Sequence, residues 1–430
     1  MGGPSARPAE RGQRSGSPRP RLRLFLAAFG DPGHAFPLLA LGERLVERGH
    51  EVIIETWERW RQYVEPAGMG FVAAPEYPVF PTQDRPINPY EAVVYAAPMT
   101  RRAVAETCPD VVVHDILTLA PALAAELEGL PVATLVPHVY PVTAHGLPPY
   151  ALGARLPHTA CGRAVWRALA QPVRLGVERG RRELNETRIR LGLEPLERPY
   201  GGISDQLTLV GTLPQLEYPR TWPPNVHVVG PLIWEPPYHD VSPPGGEDPL
   251  VLVAPSTAHD PDHRLLRAAL RGLGSERVRV LAATNRRPLR TAVPVPANAR
   301  LVDWVSYSRT MPACAAVITH AGHGTLVRAL TSGCPVVAVP HAGDMAENAA
   351  RADWARVGVR LPWRLLSPTS LRVAVRRALS EPDLGRRAAE IARWAAVHDG
   401  STRAAELVET FARSRQSVSR PTRARALGEP

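Results

Sequence analysis

Short apolar runs alternate with amphipathic stretches along most of this 430-residue chain. Residues 24–29 form an unbroken apolar run, as expected of a strand covered on both faces. After a Gly/Pro turn, Leu38, Leu39, Leu41, Leu45 and Val46 recur at helical spacing up to Gly49, where the helix should stop. Residues 52–55 read as the next strand. The same order returns with a strand at 111–113, a helix at 120–127 and a strand at 132–136. Strand, helix, strand with short connections is a βαβ unit and implies a parallel sheet. Between Pro231 and Pro249 the periodicity disappears (PLIWEPPYHDVSPPGGEDP), which marks an interdomain linker. The rhythm then restarts with strands at 250–254, 278–282, 317–319 and 336–339 and helices at 264–272 and 325–331. A long Ala/Arg-rich helical stretch over 386–411 closes the pattern. The chain therefore reads as α/β, with two doubly wound domains facing each other across a cleft. One spans 21–230 and the other 250–412, joined by 231–249 and flanked by basic tails at 1–20 and 413–430 that should be disordered. Parallel sheets bind ligands beyond the carboxyl ends of their strands, so function is to be sought in those loops.

Composition narrows the choices. The formal charge of +10 suggests nucleic acid until it is located: residues 1–23 carry a net +5 and residues 413–430 a net +4. The body between them is nearly neutral, so a basic nucleic-acid-binding face is not expected. All 51 basic residues are Arg, and the chain contains no Lys. That excludes a Walker A phosphate loop, the strand Lys of protein kinases and a Schiff-base Lys. Cysteines 108, 161, 314 and 334 are scattered without a C-x-x-C, which fits a reducing, cytoplasmic setting. Arg21-Leu22-Arg23 before residues 24–29 imitates a signal peptide, but the apolar run is short and ends in Asp31-Pro32-Gly33, so a first strand is the better reading. No stretch approaches the length of a membrane span.

Candidate chemistry concentrates in two places. In 315–348 (AAVITHAGHGTLVRALTSGCPVVAVPHAGDMAEN), a strand ends at Thr319, His320-Ala321-Gly322-His323-Gly324 turns, and a helix begins near Thr325. Glycines let the backbone approach an anion, and free N–H groups with the helix dipole favour negative charge there. The plain alternative is a strand–helix turn whose glycines serve geometry alone. The turn is not a G-x-G-x-x-G dinucleotide fingerprint. The second place is Gly33-His34-Ala35-Phe36-Pro37 after the first strand, together with Val113-His114-Asp115-Ile116; here the alternative is an ordinary histidine at a strand end.

Taken together, these segments resemble the GT-B fold glycosyltransferases of family 1, in particular the bacterial enzymes that glycosylate macrolides and other natural products. The likeness in the donor motif begins at Trp304 (DWVSYSRTMPACAAVITHAGHGT) and continues through Gly343-Asp344-Met345-Ala346-Glu347-Asn348. Gly33 to Pro37 is similar to the family's G-H-x-x-P, and the Asp115 region to its V-x-x-D-I; the resemblance covers about residues 22–410. It implies a GT-B fold of two Rossmann-like domains, with acceptor held by the first and nucleotide-sugar by the second. It implies that His34 is the general base and Asp115 its orienting carboxylate. For the donor it implies that Trp304 stacks on the base and Val305 meets its polar edge through the backbone. His320, Gly322, Gly324 and Thr325 would hold the diphosphate with hydroxyls from Ser256 and Thr257, while Asp344 and Met345 face the sugar. Transfer would invert the anomeric centre and need no metal or other cofactor, the nucleotide-diphosphate sugar being a co-substrate.

The departures carry information. Arg328 stands where glucosyl-using plant relatives have a ribose-binding Glu, and Met345 where they have Gln. Both point to a deoxysugar carried on dTDP. Ser306-Tyr307 replaces the usual Pro-Gln after the Trp. The expected partners are a nucleotide-sugar and a small apolar acceptor with a hydroxyl, such as a polyketide aglycone. Neither nucleic acid nor membrane insertion is expected, and a homodimer is compatible with the sequence. Two other functions fit the same architecture: a nucleotide-sugar epimerase or hydrolase, or a catalytically silent nucleotide-sugar-binding auxiliary protein. Elsewhere, His259-Asp260-Pro261-Asp262-His263 has metal-like residue types but reads as a polar helix start. Trp57, Trp60 and Tyr63 fit either an acceptor wall or packing. Asp31 is a turn carboxylate first and a second orienting group for His34 after that.

Overall fold

The computed structural model describes residues 20–425, apart from 76–88, 145, 238–239, 257–259, 261 and 342. The tail 1–19, residues 76–88, and Thr257 and His259 therefore lie outside the described residues.

Two all-parallel sheets form the framework. The first contains β1 (Arg23–Ala27), β2 (Glu51–Thr56), β3 (Gly70–Ala73), β4 (Val111–Asp115), β5 (Val132–Val136), β6 (Leu207–Val210) and β7 (Val226–Val228), in the order β3-β2-β1-β4-β5-β6-β7. The second contains β8 (Leu250–Ala254), β9 (Arg279–Ala283), β10 (Ala299–Val302), β11 (Ala316–Thr319), β12 (Val336–Ala338) and β13 (Gly358–Arg360), in the order β10-β9-β8-β11-β12-β13. Helices cover both faces of each sheet, which is why the central strands β4 and β8 are buried at every position. Each sheet reverses its winding once, between β1 and β4 in the first and between β8 and β11 in the second. The crevice beyond the strand ends at such a switch point is where this class of sheet places ligands.

The C-terminal end departs from the expected layout. The helical stretch after residue 382 is two helices, Pro382–Ala395 and Gly400–Arg425, separated by a short break. Asp399 causes the break: its carboxylate accepts from the backbone N–H of Ser401 at 2.9 Å and of Thr402 at 3.3 Å, so a new helix starts there. The final helix crosses back to the first domain. Ala404, Ala405, Val408, Phe411 and Ala412 join the core that holds Leu22, Leu24 and Leu45. Residues 400–412 thus pack with the N-terminal domain, not with the second domain to which the sequence pattern assigned them. The helix also continues to Arg425, past residue 413 where a disordered tail was expected.

The Pro-rich linker carries no helix or strand among its described residues, but it is firmly seated. Trp234 is buried and donates from Nε1 to Glu43 Oε1 at 2.6 Å. No helix among the described residues is long and apolar enough to cross a membrane.

Candidate active site

The first switch point brings together the ends of β1 and β4, which pair in register with Ala27 opposite His114. The chain leaves β1 through Ala28 to Asp31 and enters the helix Pro32–Glu47, with Pro32 in its first turn. His34 therefore sits in the first turn, above the end of β4, where Asp115 is fully buried. His34 Nδ1 donates to Asp115 Oδ1 at 2.7 Å. The carboxylate also accepts from the backbone N–H of Phe29 at 2.9 Å and of Leu117 at 3.1 Å. Burial alone would raise the Asp115 pKa, but the His34 charge and these hydrogen bonds outweigh it and hold the carboxyl below its ordinary range. The same contest runs the other way in His34. Burial, the largest single influence, pushes the imidazole down, but the Asp115 charge and hydrogen bond together with the Asp31 and Asp344 charges outweigh it, so the pKa is raised. With Nδ1–H committed to Asp115, Nε2 is the basic nitrogen. Asp31 itself lies 3.6 Å from Arg59, so its part at His34 is a charge at a distance.

The second switch point holds the anion-binding turn. Thr319 pairs with Ala254, which sets His320 beside the end of β8 and the buried Ser256. His320 Nδ1 lies 3.5 Å from Ala254 O. Ala321 has φ +68, a conformation L residues rarely adopt, and it is held there from both sides. Its N–H bonds Thr319 Oγ1 at 3.2 Å and its carbonyl accepts from Asn348 Nδ2 at 3.0 Å. A Cβ on Gly322 would collide with the His320 imidazole, so the glycine makes room for that ring. The helix His323–Thr331 starts directly afterwards, with Gly324 exposed and Thr325 half-buried at its open end. Thr325 also hydrogen-bonds Tyr307. Asp344 opens the helix Asp344–Trp354 across the cleft from the first domain. Its charge is felt at His34, His138 and Tyr150, all residues of that domain. The acid expected at the sugar therefore faces the residue expected to be the base.

This arrangement matches known proteins over nearly its whole length. The family model described as "Erythromycin biosynthesis protein CIII-like, C-terminal domain" matches residues 265–410. The chain is 31% identical over 419 residues to 4'-demethylrebeccamycin synthase of Lentzea aerocolonigenes, covering 90% of this chain and 99% of that one. It is 28% identical to O-mycaminosyltylonolide 6-deoxyallosyltransferase of Streptomyces fradiae, covering 93% and 100%. The chain belongs to the GT-B natural-product glycosyltransferases. Among solved structures, the kitacinnamycin glycosyltransferase superposes with a TM-score of 0.73 at 20% identity, covering 91% of this chain and 99% of that one. The calicheamicin glycosyltransferase CalG4 gives 0.72 at 23% identity, covering 91% and 98%.

Other expected residues of this glycosyltransferase sit as follows. Trp304 is half-buried, with the Arg286 guanidinium 5.1 Å from its ring centroid. Asn285 and Arg286 both have positive φ, so the loop that presents Arg286 holds two strained residues in succession. Val305 is buried in the domain core, 1% exposed. Met345 is also buried, in one apolar cluster with Ala321, Ala338 and Ala349 that packs against the turn. Arg328 is committed to the linker, donating to Trp234 O and lying 3.3 Å from Glu235. Glu235 in turn accepts from the N–H groups of Tyr307 at 2.8 Å and Ser308 at 3.1 Å. The unusual Ser306-Tyr307 pair is thus the start of a small helix capped by the linker.

Of the weaker candidates, Asp260 accepts from Arg264 N at 2.8 Å and Leu265 N at 3.0 Å, so it starts a helix as expected. Trp60 and Tyr63 pack with Phe36 and Trp234, while Trp57 packs on Phe29 with ring centroids 5.0 Å apart. Three more residues stand near the site without a role assigned to them from the sequence. His138 follows β5, stacks on Tyr150, and lies 6.3 Å from His34 between ring centroids. It donates from Nδ1 to Val139 O at 2.8 Å, and burial, foremost, holds it neutral. His323, buried behind the turn, is held by burial down to about 3. Asn348, the last residue of the donor motif, braces Ala321. Only long-range pairing of β5, β11 and the helix Asp344–Trp354 brings these three to the cleft.

Proposed function

We propose that this glycosyltransferase transfers a deoxysugar from a dTDP donor to a hydroxyl of a small apolar natural product, with inversion at the anomeric carbon. The pairing of half-buried His34 with fully buried Asp115, facing Asp344 across the cleft, is the observation that carries this reading. His34 Nε2 takes the acceptor O–H proton, and the acceptor oxygen forms its bond to the anomeric carbon. The bond from that carbon to the diphosphate oxygen breaks on the opposite face, and the diphosphate leaves with the electron pair. The proton stays on His34, where Asp115 stabilises the imidazolium. The departing charge is met by His320, the open helix end at Gly322, Gly324 and Thr325, and hydroxyls from Ser256 and Thr257, so no metal is required. Trp304 and the Val305 backbone hold the base, and Asp344 holds sugar hydroxyls. A dTDP carrier is favoured because Arg328, tied to the linker, offers no acceptor to a ribose 2'-hydroxyl. Two structural neighbours, VinC and SsfS6, were solved with thymidine diphosphate. The four cysteines are all free thiols, in keeping with work in the cytoplasm.

Thermal unfolding with dTDP, UDP, GDP and NAD tests the donor. A ligand at ~100 times its Kd adds about 2.7 kcal/mol. A shift with dTDP well above UDP supports the reading. A larger UDP shift keeps the transferase and discards the dTDP assignment, and no shift with any diphosphate sinks the donor site.

A further inference from the structure

One buried acid beside the catalytic pair takes no part in that transfer. Glu55, near the end of β2, is 4% exposed. It receives a hydrogen bond from Thr100 Oγ1 at 3.2 Å, and no Arg or His pairs with it among the described residues. Burial, opposed by that one hydroxyl, pushes its carboxyl up to about 7. A carboxyl in this position is costly, and an apolar residue of similar size would fill the site without that cost.

Glu55 lines a cavity whose other walls are largely apolar, formed by Phe29, Trp57, Pro75, Ala96 and Pro121. Its free volume, about 20 Å³, admits one group the size of a water or a hydroxyl. The cavity abuts the catalytic pair through Phe29. That residue's N–H bonds Asp115 at 2.9 Å, and its ring packs edge-on to His34 with centroids 6.1 Å apart.

We infer that this cavity is an acceptor-recognition socket, in which Glu55 accepts a hydrogen bond from one hydroxyl or amino group that an aromatic acceptor carries away from the glycosylated atom. The aromatic walls suit a ring at the mouth, and the acid suits a single donor at the bottom. A buried acceptor of this kind discriminates strongly, because a ligand without the donor leaves the carboxylate unpaired. The inference rests on the reading that the N-terminal domain holds the acceptor.

The test is equilibrium dialysis of the full chain at pH 8 with two probes, 2-naphthol and naphthalene. Wild type should bind 2-naphthol at least tenfold more tightly, as expected for a hydrogen bond to a charged group. Glu55→Leu should abolish that preference and Glu55→Gln should reduce it. At pH 5.5, where the carboxyl is protonated, the wild-type preference should shrink. Equal binding of the two probes by wild type, survival of the preference in Glu55→Leu, or no binding of either probe overturns the socket. Nucleotide-induced thermal shifts run alongside show that each variant is folded. They also separate the failures: a normal dTDP or UDP shift without probe preference rejects the socket alone. Absence of any nucleotide shift in wild type rejects the donor site.

Discussion

His34 and Asp115 act as one unit, because each shifts the other's protonation. A base works only when neutral, so a raised imidazole pKa makes kcat/KM fall on the acid side with a midpoint above the ordinary 6.5. Asp115→Asn removes the charge that raises it while leaving the burial that lowers it. The midpoint should then move below 6.5 and the rate fall about 10²–10⁴-fold, comparable to the loss in His34→Ala. Neither change should alter the thermal shift with dTDP, since both residues belong to the other domain. A pH–rate profile flat from pH 5 to 8 would remove His34 as the base. Glu55 gives the opposite case at the same scale. Its folded pKa, about 7, lies above the ordinary 4.5, so its contribution to stability is fully present below 4.5. It is lost as the pH climbs through about 7. Glu55→Gln should therefore stabilise the protein by up to about 3 kcal/mol at pH 8 and by almost nothing at pH 4. Urea unfolding at the two pH values checks both the sign and the window.

Among the elements, the turn after β11 shows what the chain order makes readable. The strands at Val132–Val136 and Leu250–Ala254, and the glycine turn at 320–324, follow from apolar runs and turn residues that need no partner to be recognised. His34 and Asp115 were legible as motif positions, and the sheet order explains their meeting, since β1 and β4 are neighbours although residues 28–110 lie between them in the chain. The burial of Met345 was not legible: its motif position suggests a ligand contact, while the fold adds its side chain to an apolar cluster with Ala321, Ala338 and Ala349. The break at Asp399 was missed for a different reason: the Ala/Arg periodicity runs on either side of it, and the signal lies in the short Asp399-Gly400 step, where the Asp399 carboxylate caps the new helix. The turn also yields a prediction. Gly322→Ala places a methyl against the His320 imidazole, and the ring must move. Donor KM should rise about tenfold or more while Tm changes little, since the His320 ring that must give way is only half-buried. An unchanged donor KM would show that His320 does not touch the diphosphate.

At the scale of the molecule, the cleft is framed by contacts on two sides. On one, Arg351 of the second domain bonds Glu217 at 2.9 Å and Leu216 O at 2.9 Å in the first, and Gly153 packs against Ala346. Gly153 has φ +59, and a Cβ there would fall 2.6 Å from Ala346 O, so only glycine permits this approach. On the other side, the chain closes on itself through the final helix. Glu409, 3% exposed, pairs with Arg48 and with His50 Nε2 at 3.0 Å, and His50 Nδ1 accepts from Leu22 N at 3.2 Å. Burial opposes the Glu409 charge, but the Arg48 and His50 hydrogen bonds outweigh it and hold the carboxyl down to about 2. Because the folded pKa lies below the ordinary 4.5, this stabilisation is present above 4.5 and is lost as the pH falls towards 2. Glu409→Gln should cost about 3 kcal/mol or more at pH 7, where it leaves Arg48 and His50 without their anion. The gap to wild type should narrow at pH 3.5, where the wild-type chain is already losing the charge's benefit. Removal of residues 400–430 should do worse at every pH, because it also uncovers the apolar face that Ala404, Ala405, Val408 and Phe411 cover on the first domain. Thermal unfolding of the substituted and shortened chains at the two pH values separates the charge from the packing. If Glu409→Gln matched wild type at pH 7, the final helix would owe its docking to contacts other than this charge cluster, such as the apolar face and the Gln416–Asp110 hydrogen bond.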